Sequence, residues 1–239
     1  MTCLVCGDRK TVRAHLIPRA LIHDIRGEHP HVFELNLNEI GERYRQSGLW
    51  DNGILCETHE RMLHPYDDAA IKFIRNFDRD AKRLDGLSGW SVPNPNPSNL
   101  VKFATSLVWR HAVSRHLSGF DVALGPYEPK IRDFIFGSRS HYDPPVTILR
   151  KRYFLKDVHL NEVLLPPFRA PRFSQRSWQF EIAGLSWIIK LDNRRQNSSL
   201  TQLAINNSNP ALVADLGELQ ITDHPGIMSL LANMSRDES

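Results

Sequence analysis

The sequence predicts an α+β fold with three successive segments: a Cys- and His-rich N-terminal module, a helical middle and a β-rich C-terminal part. Three observations support this. Every cysteine, and six of the eleven histidines, lie within residues 1–67. Apolar residues then recur at the three- and four-residue spacing of helices. After Pro144 and Pro145 apolar and polar residues alternate, which is typical of strands.

The N-terminal module contains two pairs of metal-ligand residues with the same spacing. Cys3 and Cys6 enclose two residues and precede Gly7, and Cys56 and His59 form a Cys-x2-His pair. Two intervening residues suit a tight turn that aims both side chains at one ion, and thiolates with an imidazole favour tetrahedral zinc. The pairing makes cysteines that serve only as small core residues the weaker interpretation. Four ligands without an open position predict a structural zinc ion.

The middle of the chain is predicted to be helical on both sides of a connector. Residues 68–84 form an amphipathic pattern, and a second helix is predicted over 99–118, with Arg110 and His111 on its surface. A third helix is predicted to begin at Pro126 and to end at Gly137. Alternate prolines in the segment between the first two helices exclude a helix there. The resulting division is 1–84 for the zinc module with its following helix, 85–98 for a Pro-rich linker, and 99–239 for the helical and β-rich part.

The C-terminal part is predicted to consist mainly of strands. Alternation predicts strands over 146–155, 178–192 and 200–206, followed by a short helix near Gly226–Met234. The basic stretch 150–153 is predicted as a solvated strand face, with a phosphate-binding surface as the alternative.

Further residues lie between and after the two metal pairs. Arg13-Ala14-His15-Leu16-Ile17-Pro18 lies between them, and Glu60-Arg61-Met62-Leu63-His64 follows the second. Together with the pairs, these residues resemble the HNH endonuclease family of the zinc-stapled, treble-clef ββα-metal kind. That family pattern has a strand His followed by an apolar residue and Pro, an Asn five residues before the second pair, and helical ligands directly after it. The resemblance covers residues 1–67, just over a quarter of the chain.

The resemblance implies a role for each matching residue. His15 takes the position of the general base that activates water. Asp51 stands where the family usually has Asn, with Asn52 beside it, at the position that orients the base. Glu60 and His64 take the two helix positions that hold a catalytic Mg²⁺ or another divalent cation. The chemistry fits independently, because phosphodiester hydrolysis needs a base of near-neutral pKa and a cation, and residues four apart share one helix face.

One position departs from the family pattern. Ala14 stands where members usually have Asp, Glu or His as a further metal ligand, which leaves two protein ligands. Asp67 and Asp68 are candidate replacements, and Ala14→Asp is predicted to lower the Mg²⁺ concentration needed for cleavage.

Two hypotheses follow. The chain is a metal-dependent HNH-type endonuclease acting on DNA, or a catalytically degenerate zinc module that binds nucleic acid or a protein partner. Each candidate residue also has an interpretation without a functional role. His15 is then a buried strand histidine, Glu60 and His64 are solvated helix residues, and Asp51 and Asn52 form a turn leading into Gly53.

The amino-acid composition limits which classes of partner are expected. The formal net charge of +3 permits contact with nucleic acid without demanding it. No apolar run approaches about 18 residues and no leader segment is recognised, so the expectation is a cytoplasmic protein without a membrane partner. A homo-oligomer and a role in bacterial defence are further expectations, the second by analogy with the family's usual settings.

Overall fold

A computed structural model of the chain describes residues 1–28, 32–35, 42–45, 48–115, 122–137, 142–155, 158–160, 163–170, 176–192, 202–206 and 208–220. Within these ranges no helix has both the length and the apolar character needed to cross a membrane.

The described residues form a mixed α+β structure, as predicted. It contains four α-helices and one 3₁₀ turn: α1 (Arg19–Arg26), α2 (Glu57–Asp80), α3 (Pro97–Val113), the 3₁₀ turn (Gly125–Tyr127) and α4 (Glu128–Phe136). The strands are β1 (Ala14–His15), β2 (Val32–Leu35), β3 (Glu42–Arg45), β4 (Trp50–Asp51), β5 (Lys82–Arg83), β6 (Gly89–Val92), β7 (Val146–Leu155), β8 (Val158–Leu160), β9 (Leu164–Arg169), β10 (Ser177–Ile182), β11 (Leu185–Lys190) and β12 (Ala211–Gln220).

Eight of the strands form one large sheet. Its order is β5-β6-β12-β7-β11-β10-β9, and β8 also pairs with β7. The pairing is antiparallel except between β7 and β12, which run parallel. The strands β10 and β11 are joined by Ala183 and Gly184, both with positive φ, as a tight two-residue hairpin turn requires.

The helices α2 and α3 cover one face of this sheet through aromatic side chains. Trp187 on β11 stacks on Phe180 of β10, with ring centroids 5.7 Å apart. Phe103 of α3 and Phe73 of α2 meet the same indole edge-on at 5.5 and 5.9 Å. These buried rings pack α2 and α3 against the sheet.

The N-terminal module is a long antiparallel pairing that leads into α2. Residues 11–16 run beside residues 49–56, with Ala14 opposite Asp51 and His15 opposite Trp50. Arg132 of α4 donates a hydrogen bond to the carbonyl of Leu4 at 3.0 Å. One continuous cluster of buried apolar side chains extends from Cys3 to Val213, so the core is not interrupted at the segment 85–98.

Several predicted boundaries are corrected. The predicted helix 68–84 is the C-terminal part of α2, which begins at Glu57, continues through Pro65 and ends at Asp80 because Lys82 and Arg83 pair with β6. The segment 85–98 is not a linker along its whole length. Its residues 89–92 precede the prolines and keep their N–H groups, so they form an inner strand of the sheet.

The helical middle and the strands also differ from expectation in places. The predicted helix 99–118 begins at Pro97 and ends at Val113, and Arg110 and His111 are buried rather than on its surface. The predicted strand 178–192 is the β10–β11 hairpin. Of the predicted strand 200–206, residues 200 and 201 lie outside the described residues, and Ala204 forms an isolated bridge to Thr147. The helix predicted near 226–234 lies outside the described residues.

The basic stretch 150–153 is not a solvated face. Lys151 forms an ion pair with Glu181 at 3.0 Å, and the Tyr153 hydroxyl donates to the same carboxylate. The Glu181 side chain is only 2% exposed. Burial and the adjacent Glu181 raise the pKa of Tyr153 above its usual range, so the phenol stays protonated and donates.

Candidate metal centre and adjoining histidine site

Cys3, Cys6, Cys56 and His59 converge on one point. Their ligand atoms all lie within 4.8 Å of one another. His59 Nδ1 is 3.6 Å from Cys3 Sγ and 3.2 Å from Cys56 Sγ, and the Sγ atoms of Cys6 and Cys56 are 3.9 Å apart. The predicted pairs are therefore brought together as one group, which could hold a metal ion such as zinc.

The spacing of these atoms matches a tetrahedral ion. Zinc–sulfur and zinc–nitrogen bonds of usual length place two thiolates about 3.8 Å apart and a thiolate about 3.5 Å from an imidazole nitrogen. The observed separations of 3.9, 3.6 and 3.2 Å scatter around these values. The donor set of three sulfurs and one nitrogen is one that zinc prefers. The residues present therefore fit the ion predicted from the sequence.

Local backbone geometry explains this convergence. The Gly7 N–H donates to the Cys3 carbonyl at 2.8 Å, and Gly7 has φ 79°, a conformation that glycine adopts without strain. Cys56 precedes the first turn of α2, so its side chain and that of His59 project from the same helix start. Burial lowers the pKa of His59, which favours the neutral imidazole that binds metal.

His59 also connects this group to the helical part of the protein. Its ring lies edge-on to Phe136 of α4, with centroids 5.5 Å apart, and Phe136 packs on Trp109 of α3 at 5.3 Å. Apolar packing thus holds the orientation of the His59 ring.

His15 lies on β1 beside the next turn of α2. Its backbone N–H is 3.4 Å from Oε1 of Glu60. Burial, followed by the positive charges of Arg13, Arg110 and Arg19, lowers the pKa of His15. The neutral imidazole, which can accept a proton, is therefore favoured at neutral pH.

Glu60 and His64 follow each other along one side of α2. Oε2 of Glu60 is buried and has no hydrogen-bond partner among the described residues. Burial raises the pKa of Glu60, although the positive charge of Arg110 acts in the opposite direction. His64 is exposed one turn later and is close enough to Glu60 to affect the same pKa.

A buried arginine joins the elements around His15. Arg110 of α3 has no exposed surface, and its Nη1 donates to the His15 carbonyl at 2.9 Å. The same guanidinium bonds both carboxylate oxygens of Asp67, at 2.8 and 3.2 Å, and approaches the Ser106 hydroxyl at 3.4 Å. Asp67 is thus paired with Arg110, whereas Asp68 lines a separate groove beside Lys72 and Asn76.

Asp51 makes contacts other than the one its predicted role calls for. Oδ1 accepts from the Gly53 N–H at 2.7 Å, and Oδ2 accepts from the Ser114 hydroxyl and the Arg115 N–H at 2.8 and 2.9 Å. Burial acts to raise the pKa of Asp51, but these three donors and the charge of Arg115 lower it overall. The carboxylate ties β4 to the C-terminal end of α3. Its predicted role in orienting His15, and that of the exposed Asn52, remain predictions.

Glu60 and His64 are not part of a group of three or more ligand residues among the described residues. Across the described ranges, the Cys/His group is the one set of three or more ligand residues whose atoms lie so close together. Ala14, at the position of the missing ligand, is completely buried. Glu60 and His64 therefore stand as a two-residue candidate for a divalent cation.

Sequence reasoning missed the arginines around His15. Arg13 stacks on Trp50, with its guanidinium carbon 4.1 Å from the ring centroid, and Arg19 begins α1. Both are exposed. A signal was present for Arg13, since it lies two residues before His15 in an extended segment and projects to the same side. Arg110 gave no comparable signal, because its contacts are with residues far away in sequence.

Comparisons with protein-family models, with curated proteins and with solved structures gave no match to this chain. Its function therefore has to be inferred from its own residues.

Proposed function

We propose that this chain is a zinc-stabilised nuclease of the HNH type, which hydrolyses phosphodiester bonds in DNA with a divalent cation. The observation that carries the proposal is the contact between β1 and α2. The His15 N–H is 3.4 Å from Glu60 Oε1, next to a Cys/His group with tetrahedral spacing. The reaction needs a base and a metal ligand close to each other. Here the base lies on a strand and the ligand lies on the adjoining turn of a helix.

Cys3, Cys6, Cys56 and His59 hold the structural zinc in this proposal. They occupy all four positions of a tetrahedral ion, which leaves no position for substrate. The ion connects the N-terminal turn to the start of α2, as in a treble clef. Its contribution is to folding, and through folding to the placement of β1 against α2.

His15 is the general base. Its lowered pKa keeps the imidazole neutral, so a ring nitrogen accepts the proton from the water that attacks phosphorus. Glu60 and His64 are the residues that hold the divalent cation. When bound, such a cation neutralises negative charge on the scissile phosphate and on the leaving oxygen. The buried Oε2 of Glu60, without a hydrogen-bond partner among the described residues, is an acceptor available for it.

Exposed arginines support nucleic acid as the substrate. Arg13 and Arg19 are close enough to His15 to lower its pKa. Guanidinium groups beside a base attract the phosphate backbone and fix its register without reading sequence.

The test is cleavage of supercoiled plasmid by zinc-loaded protein with Mg²⁺, Mn²⁺ or Ni²⁺, and with EDTA as the metal-free control. The zinc content is measured before and after each incubation, because loss of the structural ion would itself abolish activity. His15→Ala is expected to abolish cleavage with zinc content and fold unchanged. His159→Ala, at a histidine on β8 of the large sheet, is the matched control and is expected to cleave normally. Cleavage by His15→Ala at the wild-type rate would place the chemistry elsewhere.

A second candidate is a zinc module that binds nucleic acid or a protein partner without cutting. Two observations favour it: the complete burial of Ala14, and the absence of a third ligand atom near those of Glu60 and His64 among the described residues. Binding of DNA by wild-type protein that is inert with every cation would favour this candidate over the nuclease.

A further inference from the structure

Arg110 is a charged side chain without exposed surface, in a helix predicted to place it outside. Removing a guanidinium from water is costly unless its donors are paired. Its Nη1 and Nη2 make four contacts to acceptors: two to Asp67, one to the His15 carbonyl and one to Ser106. Its buried Nε has no hydrogen-bond partner among the described residues. Substrate cannot reach a group that is this buried, so a direct role in the chemistry is excluded.

These contacts connect three elements at one point. Arg110 belongs to α3, Asp67 to α2 and the His15 carbonyl to β1. Asp67 lies two turns beyond Glu60 and one turn beyond His64 on α2. A guanidinium is planar and rigid. Because Nη1 and Nη2 both bond Asp67, they fix the position of the His15 carbonyl that Nη1 also bonds. The backbone of His15 is thereby held at a set distance from the helix that carries Glu60 and His64.

We infer that Arg110 is a positioning residue, which sets the His15 ring relative to Glu60 and His64 by bonding the His15 carbonyl and Asp67 at once. This inference rests on the proposed nuclease function for its effect on rate, but the geometry it describes exists without cleavage. It also gives Asp67 a role as the counter-ion that orients Arg110. Both of its carboxylate oxygens are used in that pairing, so Asp67 does not replace the missing ligand at position 14.

Two variants separate positioning from simple charge neutralisation. Arg110→Lys keeps the charge but loses the fork, so it cannot bond Asp67 twice and the His15 carbonyl together. The double variant Arg110→Met/Asp67→Leu removes both charges, so neither is left buried without its partner, and thermal stability is expected to be largely retained. Both are compared with Arg75→Lys. Arg75 makes a similar two-bond pair with Asp24, at 2.7 and 2.9 Å, but on an exposed surface away from His15.

The first measurement is the cleavage rate with saturating Mg²⁺, together with zinc content and thermal unfolding. Displacement of a reacting group by about 1 Å costs on the order of 100-fold in rate. We expect that loss in kcat for Arg110→Lys and for the double variant, with KM for DNA within about threefold of wild type, since a positioning residue does not bind substrate. Arg75→Lys keeps the wild-type kcat. A folded, zinc-loaded double variant with wild-type kcat would show that Arg110 serves only to neutralise Asp67, and would overturn the inference.

The second measurement does not depend on activity. NMR contacts (nuclear Overhauser effects) between His15 and side chains of α2 are expected in wild type and weakened in the double variant, while those around His59 persist. Unchanged His15 contacts in the double variant would overturn the inference even if wild type proves inert. Paramagnetic broadening of the His64 ring by added Mn²⁺ in wild type tests the cation site separately. Without broadening and without cleavage the nuclease proposal fails, while the His15 contacts still decide the role of Arg110.

Discussion

Two groups of potential metal ligands occupy successive turns of the same helix, and they are built in opposite ways. Cys56 and His59, at the start of α2, meet Cys3 and Cys6 with all ligand atoms within 4.8 Å. Glu60 and His64, on the next turns, have no third ligand atom at such a distance among the described residues. Instead, the surrounding structure is held by Arg110, which bonds β1 and α2 together.

The difference shows what a local motif can and cannot do. All four ligands of the Cys/His group come from two short turns and one strand pairing within the N-terminal module, although His59 also packs against Phe136 of α4. The His15 site needs α3 as well, because its backbone is fixed by an arginine that lies 95 residues away in the chain. The ligands of the first group are therefore close together in the chain or in one strand pairing, whereas the placement of the His15 backbone depends on the docking of α3 against the module.

The largest expected effect is on the first group. Cys56→Ser should lose the zinc ion and unfold the module, because ion binding in such sites contributes about 10 kcal/mol or more to folding. The measurements are the zinc-to-protein ratio by elemental analysis and the thermal unfolding temperature. Thr58→Ser, an exposed position between the two helix ligands, is the control and should retain zinc. If wild-type protein is folded but contains no zinc, the Cys/His group is not a metal centre, and this difference from Glu60 and His64 disappears.

The next effect concerns the position of the missing ligand. Ala14 is 0% exposed and pairs across the strands with Asp51, so Ala14→Asp would bury a carboxylate near a second one. We expect a loss of about 3 kcal/mol in unfolding free energy. This cost opposes the gain in Mg²⁺ affinity expected from the sequence alone. Urea unfolding measures it, with Ala14→Ser as the neutral polar control. A stable Ala14→Asp protein with a lower Mg²⁺ requirement would show that the second site can be completed from β1.

A smaller effect is expected at Asp51, which connects the N-terminal module to α3. Asp51→Ala removes the acceptor for three donors and should lower the unfolding free energy by about 2 kcal/mol. The exposed neighbour Asn52→Ala is the control and should change little. Cleavage by folded Asp51→Ala at near the wild-type rate would mark Asp51 as structural, whereas a large loss of kcat at unchanged stability would restore its predicted role beside His15.

The same carboxylate predicts a pH dependence. Its pKa is lowered in the folded state, so its stabilising contribution is present above the unfolded value of about 3.9 and is lost as pH falls through the folded-state pKa. The stability difference between wild type and Asp51→Ala should therefore shrink in strongly acidic solution. Urea unfolding at neutral pH and below pH 4 checks the sign. A difference that grows on acidification would contradict the assignment.

The smallest effect concerns the exposed arginines. Arg13→Ala and Arg19→Ala should each weaken DNA binding only a few-fold and reduce the slope of log affinity against log salt by about one. Fluorescence anisotropy with a labelled duplex over a range of salt concentrations measures both quantities. Arg79→Ala, near the far end of α2, is the control and should leave the slope unchanged. Equal effects from all three variants would show that DNA does not bind preferentially beside His15.

Features that depend on neighbours in the chain could be predicted from the amino-acid sequence. The spacing of Cys3, Cys6, Cys56 and His59 is sufficient to predict the metal group, because a two-residue gap in a turn admits few geometries. The α+β character and the helix ending before Gly137 follow from periodicity and from glycine and proline positions. Predictions of this kind fail where one residue pattern fits two structures, as with 178–192, where an Ala-Gly turn interrupts a pattern that otherwise fits one long strand.

Which polar residues are buried, and which groups they bond, became evident from the three-dimensional fold. Arg110 and Lys151 have the local surroundings of surface residues, and both are paired inside, with Asp67 and Glu181. Residues 89–92 could not be identified as part of the sheet, because the partner strand β12 lies more than a hundred residues later in the chain. The free energy of burying a charge depends on the partner that the fold supplies, and no local pattern specifies a partner that distant.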